Sequence, residues 1–523
     1  MENDRTTTEQ SYECNAYHSF GTVSAFGSDL LAKFGDDICP VWDDPITNNE
    51  SARRISRYIY AKNGVVSNSI DYMTALLTLD GVVISKNDSI NGDTKKAKEN
   101  KTLMKKVLKT INIKQAIRDA LFTEMVDGCC FYYLETSKPI QMKEDSLPSY
   151  VVENIVEANA YDFNATLITL PVDYTKIIGR KNNRYVLAFN LEYFLNSTII
   201  LERELKTFPK EIREAYYKWQ KGAGNQWATL DNNHTIVGKI KSKASEVYGR
   251  PLAIAALDDI LYKDYFVTTK RNILNEVNNK IVYQTFPEGK EKGTSVLSQK
   301  QQENQHNAVK EAVMRKNTLG GTSFFSVAAG TKINALDVNT DIFDDKYENG
   351  LDDGISLDIG IAATLIGASS KGNYASAQQN LEMITAQLYQ WVSELEDEYN
   401  AVLNACIIKD SINPAVLKIF PTSFANRDTF FDQMKVLYGY GGSLSYLIAA
   451  AGIDPDVYLT ALKSEYDEGV YDMVQPHPTN YTYSAKAEKI DETKSVSTAK
   501  LTNENTIQSV SNNSNDRPKP STS

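Results

Sequence analysis

In the second half of the chain, Leu381, Ile384, Leu388, Trp391, Leu395, Tyr399 and Val402 recur at three- and four-residue steps, while Glu382, Glu394, Asp397 and Glu398 face elsewhere. The spacing predicts a long amphipathic helix starting near Ala375, built to bury one side. Before it, an approach helix from about Ile359 meets the polar break Gly367-Ala-Ser-Ser-Lys-Gly-Asn373. On its own, a break rich in Gly, Ser and Asn reads as a connector between helices.

The rest of the chain supplies the context. Residues 1 to about 50 are polar and irregular, interrupted by Pro40 and Pro45, and read as an arm lying on other structure. Helices follow over Asn49 to Asn63 and Ser67 to Leu77, then the strand Gly81 to Ser85. The Lys-rich piece Lys95 to Lys109 could touch phosphate, but a solvated helical face is the plainer reading of such a charge run. Ile111 to Met125 has helical spacing, Asp127-Gly128 stops it, and Cys129-Cys-Phe-Tyr-Tyr-Leu134 is a buried strand. Strands over 167–170, 176–180 and 184–190 include a hairpin across Asn182-Asn183. A short helix starts at Pro209, and Gly222 to His234 is loop.

After Gly249-Arg-Pro251 a helix runs to about Asn278, on the order of 40 Å long. A strand over 280–286, a polar helix over 298–316 and a strand over 323–328 make a compact insert, and helix resumes from Asp341. Two long helices therefore bracket a small α/β insert. Beyond Cys406 come the strand Ala415 to Phe420, the segment Asn426 to Tyr438, a Gly-rich break at 439–442, and helices over Leu444 to Tyr466 with Asp454-Pro455 as a start signal. From about Gln475 to Ser523 apolar content collapses, so that tail is expected to be disordered. No internal repeat is visible.

Composition narrows the function. A chain of 523 residues has room for two to four domains. Its net charge of -11 argues against coating DNA by broad phosphate neutralisation, which needs clustered Lys and Arg. The 30 tyrosines suit half-buried surfaces such as subunit interfaces, although lineage composition could give the same bias. Five cysteines, at 14, 39, 129, 130 and 406, lack a paired framework and suggest incidental thiols in a reducing compartment rather than disulfides or zinc. The start Met-Glu-Asn-Asp-Arg lacks signal-peptide regions, and no apolar run approaches the roughly 20 residues a membrane span needs. The protein is expected to be made and to work in solution.

Catalytic chemistry is hard to place. The histidines are His18, His234, His306 and His477, and neither nucleophile elbow, phosphate loop, dinucleotide fingerprint nor His-Glu-x-x-His is present. Acidic residues cluster between Asp337 and Asp358, including Asp341, Asp344, Asp345, Glu348, Asp352 and Asp353. A carboxylate-dependent hydrolase using that cluster is the alternative from the enzyme class. The spacing does not match a calcium loop, and a helix spreads these side chains around its axis, so a solvated or channel-facing helix is the leading reading.

Taken in order, several segments over about residues 50 to 470 resemble the portal proteins of tailed bacteriophages, the ring that forms the head-tail connector. They are the helix and Asp127-Gly128 step into Cys129-Cys-Phe-Tyr-Tyr133, and Leu170-Pro-Val-Asp-Tyr-Thr-Lys-Ile-Ile-Gly-Arg180 with Arg184 to Asn190 and Tyr193-Phe194. Tyr248-Gly-Arg-Pro-Leu252 and Ile359 to Gly367 with Asn373-Tyr-Ala-Ser376 complete the set. None is a strict signature; their order and spacing carry the likeness.

The resemblance implies an α+β portal fold, mostly helical: an N-terminal arm (1–50), a mixed wing domain (51–250), a first stem helix (251–279), a clip domain (280–339) and a second stem helix (340–366). A tunnel loop (367–374), a long wing helix with return strand (375–425), a helical crown (426–474) and a disordered tail (475–523) would follow. It further implies a non-catalytic homo-oligomeric ring, usually a dodecamer, at one capsid vertex of a virion assembled in the host cytoplasm. Double-stranded DNA would pass through it without sequence specificity during packaging and ejection. The terminase large subunit, major capsid and scaffolding proteins and a head-tail adaptor would be its partners, with no membrane, metal or cofactor. Ser369, Ser370, Lys371, Gly372 and Asn373 would form the loop facing DNA, and Asp344, Glu348 and Asp352 an acidic channel-facing stem. A duct for sliding DNA is expected to avoid strong phosphate contacts, since each released counterion adds affinity.

Overall fold

The computed structural model describes residues 29–85, 94–136, 165–195, 201–278, 282–291, 294–319, 327–335, 345–363, 365 and 374–469. The chain divides into two units, Met1–Ile453 and Asp454–Ser523. The first unit opens with α1 (Asp29–Asp43), α2 (Asn49–Lys62), α3 (Gly64–Leu76), β1 (Gly81–Ser85), α4 (Thr94–Thr110) and α5 (Ile113–Asp127). Next come β2 (Cys129–Glu135), β3 (Thr166–Thr169), β4 (Thr175–Lys181), β5 (Arg184–Asn190), α6 (Leu201–Thr207), α7 (Lys210–Gln220), β6 (Trp227–Thr229) and β7 (Thr235–Lys239). Then α8 (Leu257–Asn278), β8 (Val282–Thr285), α9 (Gln299–Leu319), β9 (Lys332–Ala335), α10 (Asp345–Ile359), α11 (Tyr374–Leu403), β10 (Ala415–Ile419), α12 (Arg427–Gly439) and α13 (Leu444–Ala450) complete it. In the second unit α14 (Pro455–Asp467) starts on an Asp454 cap that accepts the Asp456 N–H, with Pro455 in the first turn. The architecture is α+β, mostly helical with small antiparallel sheets.

Strand β2 explains how the first unit holds two cores. It is central in the antiparallel sheet β3-β2-β7, and its side chains alternate between faces. Cys130, Tyr132 and Leu134 enter the main core with α2, α3, α5 and α11, while Cys129, Phe131 and Tyr133 enter a second core under the β4-β5-β6 sheet. Because both faces are buried, the segment reads as an unbroken apolar run. The second core is aromatic: Phe189, Phe194, Phe208 and Tyr216 pack with neighbouring centroids 5.0 to 6.0 Å apart. The β4–β5 hairpin turns on Asn182 and Asn183, both at positive φ (50° and 68°), as its two-residue loop requires.

Helix α11 buries its stripe inside the same chain: Ile384, Leu388, Trp391, Leu395, Tyr399 and Val402 all join the main core. A second face closes the edge of β10. Asn400 donates to the Leu417 carbonyl (2.9 Å) and accepts the Leu417 N–H (2.8 Å). Asn404, in the wider helical turn that continues α11 over Asn404–Ile408, treats Ala415 the same way at 2.8 and 3.1 Å, and Glu396 accepts the Ile419 N–H at 2.5 Å. Four residues of helix rise about 6 Å and two of strand about 6.7 Å. Steps of four on α11 therefore keep pace with alternate residues of β10, whose other edge pairs with β1. A strand edge that would otherwise invite pairing is satisfied by side chains.

Several expectations change. Residues 29–43 are helical rather than irregular, because Leu30, Phe34, Ile38 and Val41 recur at helical steps and are buried, with a non-helical kink at Phe34 and Pro40 inside the element. Strand β6 lies within the expected loop 222–234, paired to β5. In the insert, β8 pairs with Lys332–Ala335, downstream of the expected strand, of which residues 323–326 lie outside the described residues. The helix expected over 340–366, and with it the approach helix expected from Ile359, stops at Ile359, since Gly360 takes φ 99° and ends it early. Cys39 is disulfide-bonded, against the expectation of unpaired thiols; its partner lies outside the described residues. Tertiary proximity makes such a bond, and sequence spacing does not show it.

Candidate functional site

The candidate site is the antiparallel pair α8/α10 and the root from which it rises. At the root, α5 ends on Gly128 (φ 83°), whose backbone lies against Gly249 so closely that a Cβ there would sit 2.5 Å from the Gly249 carbonyl. The Gly128 carbonyl accepts the Ile240 N–H (3.0 Å), and Arg250 N–H donates to Ile240 (3.2 Å). Asn49 holds the Gly249 carbonyl from α2 at 3.0 Å. The chain entering α8 is thus clamped between a helix end and a strand.

Two arginines on α2 lock this root to the second core. Arg53, 2% exposed, donates to Asp173 (2.7 Å) and Asn49, and its guanidinium sits 4.7 Å from the Tyr248 ring centroid. Arg57 grips both oxygens of Asp127 at 2.7 and 2.9 Å and reaches the second oxygen of Asp173 at 2.7 Å. Burial alone would destabilise the charged forms. Against it, the two arginines hold the Asp173 carboxyl below its usual range, while at Asp127 burial prevails and raises the carboxyl despite Arg57. Burial also works against the Arg57 cation, but Asp127 and Asp173 raise its pKa.

Along the pair, Lys263 bonds Asp352 and Lys270 bonds Glu348 at 2.9 Å. The contacts advance along α8 as they retreat along α10, as antiparallel helices require, and the long lysine side chains absorb the difference between seven residues of one helix and four of the other. Near the root, Ile355 and Ile359 pack with Leu257, Ile260 and Leu261, and Gly354 leaves space that the Asp259 carboxylate fills. Burial, with Asp259 and Asp258 beside it, raises the Asp358 carboxyl. The Lys270 hydrogen bond holds Glu348 below its usual value.

Of the residues singled out from sequence, Ser369, Ser370, Lys371, Gly372, Asn373 and Asp344 lie outside the described residues. Glu348 and Asp352 are described, each ion-paired with a lysine of α8. Among the described residues no three His, Cys, Asp or Glu side chains converge to hold a metal ion. His234 stacks on Tyr133 and lies 2.8 Å from the Leu134 carbonyl, so that nitrogen carries the proton. The neighbouring Cys406 donates to the Asn233 carbonyl (3.1 Å), and burial pushes its thiol up to about 11. They do not form a nucleophile and base. Sequence reading missed the Arg53, Arg57, Asp127 and Asp173 network, which joins positions up to 120 apart. The available signal was Arg53 at the edge of the helix face that carries Asn49, Ala52 and Ser56.

No family model matches the chain. It is 22% identical over 491 residues to the SPbeta prophage-derived uncharacterized protein YonE of Bacillus subtilis (strain 168), over 91% of this chain and 89% of that protein. Among solved structures it is similar to the neck of an empty gene transfer agent particle computed with C6 symmetry, with TM-score 0.45 and 13% identity over 76% of this chain and 92% of that one. It is also similar to an HK97 family phage portal protein from Corynebacterium diphtheriae, with TM-score 0.29 and 11% identity over 70% of this chain and 94% of that one. Among the described residues no helix is long and apolar enough to cross a membrane.

Proposed function

We propose that this chain is a phage portal subunit: a ring-forming, non-catalytic conduit for double-stranded DNA in packaging and ejection, and a docking platform for terminase and head-tail adaptor proteins. The observation that carries the reading is the order of the pieces. A clamped root leads into α8, the β8–α9–β9 insert, the return helix α10, and then α11 laid across the main core. The prophage-derived relative, spanning most of both chains, supports a phage origin.

In this reading α8 and α10 are stem helices, residues 280–339 the clip, 367–374 the tunnel loop and 426–474 the crown. Lys371, with Ser369, Ser370 and Asn373 beside it in a loop flanked by Gly367 and Gly372, makes weak, sequence-blind contacts with DNA. Asp344, Glu348 and Asp352 face the channel. Since Glu348 and Asp352 each keep a lysine partner, that part of the wall is neutralised, with little pull on phosphate and little repulsion. The ring also contacts the major capsid and scaffolding proteins in the virion, after assembly in the host cytoplasm.

Negative-stain images of the purified full chain test this most directly, with closed rings around a central hole as the expected result. A stable monomer with metal-dependent hydrolysis would overturn the reading in favour of an enzyme. The loop has its own test: if Lys371→Ala and a 367–374 deletion both leave packaged DNA length and retention unchanged, the DNA-contact role is abandoned.

A further inference from the structure

Glu124 sits where α5, β2, β7 and α11 meet, 1% exposed. One carboxyl oxygen is 3.5 Å from the Cys130 sulfur on β2, and the other is buried without a hydrogen-bond partner from the protein. Space for the carboxyl comes from Gly238 on β7, directly paired with Cys130, where any Cβ would collide with it. From α11, Tyr399 is fully buried and its hydroxyl also has no hydrogen-bond partner from the protein.

Of the groups around this joint, the cations Arg53 and Lys239 act on Cys129, and those that couple to Glu124 or to its buried neighbours are acidic or neutral. On β2 they are Cys130, Cys129 and Tyr132, on α11 Tyr399 and the exposed Glu394, and on α5 Asp119. From β7, Lys239 interacts with Glu394. Burial raises the thiol and both phenols, which keeps them neutral, and neither kind of group has a cationic form that could compensate a carboxylate. A carboxylate in this position would be a buried charge with neither an ion pair nor a full set of donors, whereas a carboxylic acid is tolerated.

We propose that Glu124 is a proton-sensitive latch, holding α11 on the β2–β7 sheet while its carboxyl is neutral and loosening that joint when it ionises. Burial, with Glu394 adding to it, raises the group to about 8, compared with 4.5 in open chain. The closed joint therefore binds one more proton than the opened joint between those values. Its stability is fully present below the lower value, is lost as pH rises, and levels off above the higher one. α11 carries the side-chain ladder to β10, so a loosened α11 also exposes that strand edge.

Hydrogen exchange of the full chain at several pH values, corrected for the chemistry of free amides, reads the opening of Trp391 to Val402. Between pH 6 and 8 the opening constant is expected to rise about tenfold per pH unit and then flatten, while Glu124→Gln, isosteric and unable to ionise, gives a flat profile. Equal slopes in the two proteins would overturn the latch. Should Glu124→Gln fail to fold, infrared spectra of the unaltered protein decide. A protonated-carboxyl band that persists at pH 7 and titrates away towards pH 9 supports the proposal, and its absence at pH 7 refutes it.

Discussion

Replacing Asn400 by alanine tests whether the ladder between α11 and β10 holds the strand in place. The side chain is 8% exposed and satisfies both the N–H and the carbonyl of Leu417, at 2.8 and 2.9 Å. Alanine leaves a buried donor and a buried acceptor without partners, each costing about 1 to 3 kcal/mol. Some water enters the space vacated by the amide, so we take the lower half of the summed range, about 2 to 4 kcal/mol. At the midpoint that is a factor of about 150 in a local opening constant, on the scale of about 1.4 kcal/mol per decade. The chain has two units, so local hydrogen exchange at residues 415–419 is a better readout than a global midpoint. Gln390→Ala, an exposed position on the same helix, controls for propensity and is expected to change little. If Asn400→Ala leaves the exchange of 415–419 within threefold of the original, the pairing of helix side chains to the strand edge contributes nothing and the reasoning fails.

Other consequences follow from the root and the helix pair. Arg53→Met removes the cation that shares Asp173 with Arg57, and breaking a buried pair from one side is expected to cost about 3 kcal/mol in denaturant titration. Gly128→Ala and Gly360→Ala both place alanine at positive φ, worth about 1 to 2 kcal/mol. Only Gly128 also meets backbone, so Gly128→Ala is expected to be insoluble or at least twice as destabilised as Gly360→Ala by thermal melting. Lys270→Glu and Glu348→Lys singly weaken the helix pair, and the double swap restores it. Because both side chains are partly exposed, the coupling in a double-mutant cycle is expected below about 1 kcal/mol and reduced by salt. That carboxyl is held low, so its small contribution is present above its open-chain value and disappears as pH falls through the folded value.

Period carried most of the secondary structure. The stripe from Ile384 to Val402 and the run Cys129 to Leu134 were legible because burial is continuous along them. The fate of the stripe was not: helical spacing says that a face is buried, not whether the same chain or a neighbour buries it. Helix α1 was masked by Pro40 and polar neighbours, although Leu30, Phe34, Ile38 and Val41 had the spacing. At the candidate site the acidic residues were visible in composition, whereas their pairing with Lys263 and Lys270, 89 and 78 residues away, depends on how two helices are phased. The root was least legible, because Asn49, Arg53, Asp127, Asp173 and Gly249 meet only through tertiary structure.

The two feet of the α8/α10 pair stand on one core, and this bears on how a ring would form. α8 leaves from the Gly128–Gly249 clamp, and α10 returns at Gly360, after which the Ala362 N–H is held by Asn380 of α11 at 2.9 Å. α11 is fixed in turn by its apolar stripe and by the ladder to β10. Farther out, no residue from Val267 to Ile273 is buried, and the partly exposed Lys270–Glu348 ion pair joins the helices there. Rigidity is therefore concentrated at the root, and one chain leaves the outer faces of its pair only partly covered. In the proposed ring, adjacent pairs cover each other's faces. Ring closure is then expected to slow amide exchange over residues 262–273 by at least tenfold relative to unassembled subunits, while exchange at the clamped root stays unchanged. Equal exchange in rings and free subunits over that span would place the subunit contact elsewhere on the chain.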